Sequence, residues 1–111
     1  MIEKIVCNYL NEEMGLPAFW EIPEDSPEEF LIVEKTGGKR TDHIKEATIA
    51  IQSYAGSMYR AAEINEKVKA VMDRITELDE VSRVKLNSDY NFTDTTTKRY
   101  RYQAVFDIKH Y

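Results

Sequence analysis

The chain has 111 residues, 42% hydrophobic and 32% charged, the make-up of one globular domain rather than of a disordered, collagen-like or disulfide-framework chain. Folding at this size buries roughly two thirds of the unfolded surface, enough for one core but not for a core plus a deep substrate cavity, which weighs against an enzyme. Fifteen Lys and Arg against twenty Asp and Glu leave a net charge of −5, which argues against phosphate-backbone binding as the business of the whole molecule.

Cys7 is the only thiol, so no intrachain disulfide forms and a reducing cytoplasm is the expected setting. Ile2, Ile5, Val6, Tyr9 and Leu10 fall on one helical stripe, with Cys7 beside it, and Gly15 then Pro17 supply a stop; a first helix is expected over 2–14. The polar residues Asn8, Asn11, Glu12 and Glu13 interrupt that run, so it does not read as a signal peptide, and no stretch approaches the ~18 apolar residues of a membrane span. Ala18 to Ile22, closed by Pro23, reads as a short strand, residues 23–28 as a surface loop, and Phe30 to Thr36 as a second strand ending at Gly37-Gly38.

Glu46 to Tyr54 alternates with period two and predicts a third strand. Ser57 is a candidate N-cap for a helix over 57–79, whose apolar positions Ala61, Ile64, Val68, Val71, Ile75 and Leu78 step by three and four. Its outer face is placed for ion pairs Glu63/Lys67 and Lys69/Asp73. Val81 to Leu86 reads as a fourth strand and Arg99 to Tyr111 as a long fifth, with Tyr100, Tyr102, Ala104, Phe106 and Ile108 on its core face. Residues 36–46 and 87–98 are too polar to bury and are expected as loops. The order α-β-β-β-α-β-β predicts a single α+β domain over 1–111: a mainly antiparallel five-stranded sheet with both helices on the face carrying Phe106 and Ile108.

Candidate chemistry is sparse. His43 and His110 have no companions at metal-ligand spacing and read as surface histidines; no metal or cofactor is expected. Thr36-Gly37-Gly38-Lys39-Arg40-Thr41 imitates a phosphate-binding loop, but Val33 stands where its first glycine belongs and Arg40 where Ser or Thr belongs. Cys7 has no histidine nearby in sequence and no case as a nucleophile. Lys98, Arg99 and Arg101 interleave with Tyr100 and Tyr102 as a stacking platform for single-stranded nucleic acid would, yet the alternation sends those rings to the core and the arginines outward. With Lys39 and Arg40 these basic residues define the alternative of a nucleic-acid-binding module.

The segments Pro27-Glu28-Glu29-Phe30-Leu31-Ile32-Val33-Glu34-Lys35-Thr36-Gly37-Gly38, Ala47-Thr48-Ile49-Ala50-Ile51-Gln52-Ser53-Tyr54-Ala55, Asn87-Ser88-Asp89-Tyr90-Asn91-Phe92-Thr93-Asp94 and Arg101-Tyr102-Gln103-Ala104-Val105 follow in an order that resembles the tail terminator (tail completion) proteins of long-tailed bacteriophages and prophages. Head-closure and neck proteins of similar size are the nearest alternative. The resemblance implies a non-enzymatic virion protein, assembled in the bacterial host cytoplasm. It would form a ring, usually of six copies, at the head-proximal end of the tail tube. Its implied partners are itself, the tail tube protein, the head-tail connector, and genomic DNA passing through the lumen without specific binding. Interface residues are expected at Gly37, Gly38, Lys39 and Arg40 and at Tyr90, Asn91 and Phe92, where two aromatic rings stand in polar surroundings.

Overall fold

The computed structural model describes all 111 residues as α1 (Ile2–Met14), β1 (Ala18–Phe19), β2 (Phe30–Thr41), β3 (Ile44–Ala55), α2 (Met58–Met72), a 3-10 turn (Ile75–Glu77), β4 (Val81–Asn91) and β5 (Tyr100–His110). The architecture is α+β, with a five-stranded sheet in the order β1-β2-β3-β5-β4. The sheet is mixed: β1 runs parallel to β2, and every other neighbouring pair is antiparallel. No helix is long and apolar enough to cross a membrane.

The helices stop where their local chemistry stops them. Gly15 ends α1 in the left-handed conformation at φ 74°, which a residue with a Cβ adopts only at a cost. At the start of α2 the Ser57 hydroxyl accepts a hydrogen bond from the Arg60 amide at 3.2 Å, as expected of an N-cap. The α-helix ends at Met72, short of the expected 79, because the Arg74 amide tightens onto the Val71 carbonyl and opens the 3-10 turn. Ile75 nevertheless stays in the core, since 3-10 geometry preserves an i,i+3 spacing and so imitates a longer helix in sequence.

The expected pairs Glu63/Lys67 and Lys69/Asp73 do not form. Glu63 meets Arg60, Lys69 bridges Glu66 at 2.8 Å and Asp89 at 3.3 Å, and Lys67 donates to the Met14 carbonyl at 3.0 Å. The last contact puts a cation on the carbonyl-rich end of α1 and ties the two helices together.

Ile2, Val6 and Leu10 of α1 and Ile64, Val68 and Val71 of α2 share one core with Leu31, Val33, Ile49, Ile51, Phe106 and Ile108 of the sheet. Both helices therefore cover the face expected. Cys7 belongs to this core rather than beside it: its thiol donates to the Ala18 carbonyl at 3.2 Å, and burial pushes its pKa up. Asn11 completes the fastening of α1 to β1, exchanging side-chain hydrogen bonds with both backbone groups of Ala18. β1 is only two residues long because Trp20 already turns away toward the loop that carries the chain back to Phe30.

Much of the two segments expected as loops is strand, through Thr41 and from Ile44 in the first and through Asn91 in the second, while 92–98 is loop and turn as expected. β2 continues through Gly37 and Gly38 to Thr41 and turns at Asp42-His43 into β3, with Asp42 at φ 55°. β4 continues to Asn91, and the Asp94–Arg99 bridge closes a second hairpin over it. The Thr97 hydroxyl and the Thr96 and Thr97 amides hold the Asp94 carboxyl below its ordinary range while it organises that turn. The physical reason for the misreading is coverage. From Phe30 to Val33 β2 is buried, and from Glu34 onward it is exposed. A strand with no layer packed on either face has no apolar side to alternate with, so its composition reads as loop.

His110 was expected at the surface and is instead buried at the end of β5. Burial lowers its pKa below 6.5, with Lys45, Lys35 and the amino terminus adding to the effect. A histidine held neutral in the fold costs stability when it must take a proton. Stability is therefore full above pH 6.5 and falls as the pH drops through 6.5 toward the lower folded value. The melting temperature is expected to fall between pH 7.5 and 5.5 more steeply in the native chain than in His110→Gln. Parallel curves for the two would exclude His110 as the cause.

Candidate functional site

The expected interface residues lie in two groups at the two ends of a molecule 44 Å long. Gly38 pairs with Ala47, which pairs with Ile108, whereas Tyr90 pairs with Gln103. Gln103 and Ile108 are separated by about 17 Å along β5, at ~3.4 Å per residue. Both groups border the sheet face opposite the helices.

At one end that face is aromatic. Tyr54 stacks on Phe30 with ring centroids 4.6 Å apart, and Tyr90 and Phe92 make an edge-to-face pair at 5.8 Å. The Arg101 guanidinium lies 4.4 Å from the Phe92 ring centroid and donates to the Phe92 carbonyl at 2.6 Å and to the Tyr54 hydroxyl at 2.9 Å. Gln52 donates to Gln103 at 3.0 Å, and Gln103 donates to the Tyr90 hydroxyl. Tyr90 and Phe92 keep 42% and 38% of their surface exposed. Tyr90 and Asn91 are thus strand residues and Phe92 follows directly, while Asn91 uses its side chain to cap the Thr93 amide at 3.0 Å. The rings neither enter the core nor swing free.

At the other end the face is charged. Gly38, Lys39, Glu46, Thr48, Arg83, Lys85, Asp107 and Lys109 line a depression of about 510 Å³. Lys39 pairs with Glu46 at 3.0 Å, Lys109 approaches the same carboxylate at 3.5 Å, and Asp107 accepts from Thr48 and Asn87. The Lys39 hydrogen bond above all, with Lys109 behind it, holds the Glu46 carboxyl below its ordinary range. Gly38 permits the close approach here, since a Cβ would stand 3.1 Å from the Glu46 carbonyl oxygen. Gly37 and Gly38 sit within a strand beside a bulge between Lys35 and Gly37, so no helix follows them as it would in a phosphate-binding loop. Arg40 lies on the outer part of the arm, facing solvent.

The residues of the nucleic-acid alternative are not brought together: Lys39 and Arg40 stand at the charged end, and Lys98, Arg99 and Arg101 at the aromatic end. Tyr100 and Tyr102 pack against the core while Arg99 and Arg101 lie over the Tyr54 ring, as the alternation led us to expect. Missing from the sequence reading were Arg83, Lys85, Asp107, Lys109 and Tyr54. Their period-two spacing within strands was visible, but only the pairing of β4 with β5 and of β5 with β3 makes them neighbours. His43 is exposed at a hairpin turn, and no group of three His, Cys, Asp or Glu side chains converges as metal ligands would. No protein-family model matches the chain, and no curated protein is significantly similar to it.

Proposed function

We propose that this protein is a phage morphogenesis component that assembles as a ring at the head-proximal end of the tail tube, stops tube growth and presents the surface that joins tail to head. The observation that carries the reading is the position of the resembling segments. Glu34 to Gly38 lie on the exposed part of β2, beyond the helix layer, and Asn87 to Phe92 run along and just past the edge strand β4, polar on most of their surface and open to other subunits. Exposed strands of this kind serve assembly better than chemistry. The partners are further copies of the chain, the tube protein on one side and the connector on the other, with DNA sliding through the lumen. In isolation the chain is expected to associate weakly, because its exposed apolar residues are scattered rather than gathered in one stripe.

The test is to polymerise purified tube protein with and without this chain and measure tube lengths in negative stain. Shorter, uniform tubes with a ring at one end are expected. Tubes of unchanged length distribution would overturn the terminator reading.

A further inference from the structure

Two parts of this chain carry charges that find no partner within it. Residues 20–29, between β1 and β2, hold Glu21, Glu24, Asp25, Glu28 and Glu29 and no Lys or Arg. Only Glu29 makes an ion pair, with Arg60. Pro23 and Pro27 stiffen this segment, and it exposes two apolar side chains among its carboxylates, Trp20 at 49% and Ile22 at 41%. At the opposite edge of the sheet, Arg83 and Lys85 of β4 line the charged depression and belong to no ion pair of the molecule.

The acidic segment leaves the sheet at β1 and the unpaired cations stand on β4, with β2, β3 and β5 between them. At ~4.8 Å per strand the two edges are about 19 Å apart, so the carboxylates of one copy do not reach Arg83 and Lys85 of the same copy. They reach those of a second copy laid alongside. Complementary patches on opposite edges make a heterologous contact, the kind that closes a ring when its rotation divides a full turn. A phosphate backbone is the poorer occupant: a chain of net charge −5 repels polyanions at a distance, and it would leave Trp20 and Ile22 without a role.

We propose that the acidic segment 20–29 of one copy docks in the depression lined by Arg83, Lys85, Lys39 and Lys109 of the next, with Trp20 and Ile22 as its apolar anchor. The proposal rests on the ring reading and names the contact that builds the ring. Aromatic anchors rimmed by matched charge are the usual composition of an interface that must be specific without being obligate.

Sedimentation velocity from micromolar to millimolar concentration at low salt is expected to show weak self-association that is lost at about 0.5 M salt, where the screening length shrinks to a few ångströms. Arg83→Glu with Lys85→Glu, and separately Glu24→Lys with Asp25→Lys, should each weaken it about tenfold or more while leaving the melting temperature nearly unchanged. The chain carrying all four substitutions should regain association, and an equimolar mixture of the two reversed variants should associate although neither does alone. Carbodiimide coupling of mixed isotope-labelled and unlabelled protein should join Glu24 or Asp25 to Lys85 between copies. A strictly monomeric native chain, reversals without effect, or loss of association without rescue would each overturn the contact. So would reversals that abolish only salt-sensitive retention on a DNA column, which would assign the depression to a phosphate backbone. Failure to cap tubes with association intact would discard the terminator reading alone.

Discussion

Val71→Asp is expected to lose on the order of 3 kcal/mol or more of stability, a fall in melting temperature of more than about 10 °C for a domain of this size. Val71 is buried in the core where α2 meets α1, and its carbonyl accepts the Tyr9 hydroxyl at 2.7 Å. A carboxylate there either stays charged without solvent or a partner, or takes a proton it would not hold in water. Both routes raise the free energy of the fold. Val71→Ala separates volume from charge: it removes two methyl groups and should cost about 1–3 kcal/mol by loss of burial and cavity formation. Equal melting temperatures for the two variants would show that packing, not charge, decides the site. A melting point for Val71→Asp within a degree or two of the native chain would show that residue 71 is not core.

The same residue marks how far the sequence was legible. Wherever a helix lies on the sheet, periodicity was informative: α1 coincides with the expected 2–14, Ser57 is the cap, and Phe106 and Ile108 face both helices. Legibility failed where that layer ends. Glu34 to Thr41 and Asn87 to Asn91 are paired strands whose own side chains are mostly exposed, the first outrunning the helix layer and the second forming the edge of the sheet, so neither composition nor period announces them. β1 was legible as a short strand, but its end at Phe19 rather than Ile22 was not. Its two residues are held by backbone pairing to β2 and by the side chain of Asn11, neither of which has a sequence period. The expected site residues were read as loop residues, yet all but Phe92 lie within strands, and the charged depression was invisible, because Arg83, Lys85, Asp107 and Lys109 become neighbours only through strand register.

Tyr90→Ala combined with Phe92→Ala is expected to abolish assembly while leaving a folded protein. The rings form an edge-to-face pair, and Phe92 carries the Arg101 guanidinium; removing both should cost about 1–2 kcal/mol, a fall in melting temperature of roughly 5–10 °C. That is well short of the Val71→Asp loss, because both rings are more than a third exposed and the backbone register Tyr90↔Gln103 and Asn91↔Tyr102 does not depend on them. The functional loss should be larger than this stability change can explain. Without the rings, the aromatic end of the open face presents Arg101 and Tyr54 to water instead of a half-buried platform to a partner, and aromatic anchors are where interface energy concentrates. In a phage background the variant should give overlong tails and unattached heads at temperatures where it is fully folded. Arg101→Lys sharpens the comparison, since it keeps the charge but loses the planar contact with Phe92 and the fork reaching the Phe92 carbonyl and Tyr54. A partial assembly defect there would place the platform's geometry, rather than its charge, at the interface. Normal particles from the folded double variant would remove Tyr90 and Phe92 from the assembly surface and leave the charged end of the sheet as its remaining candidate.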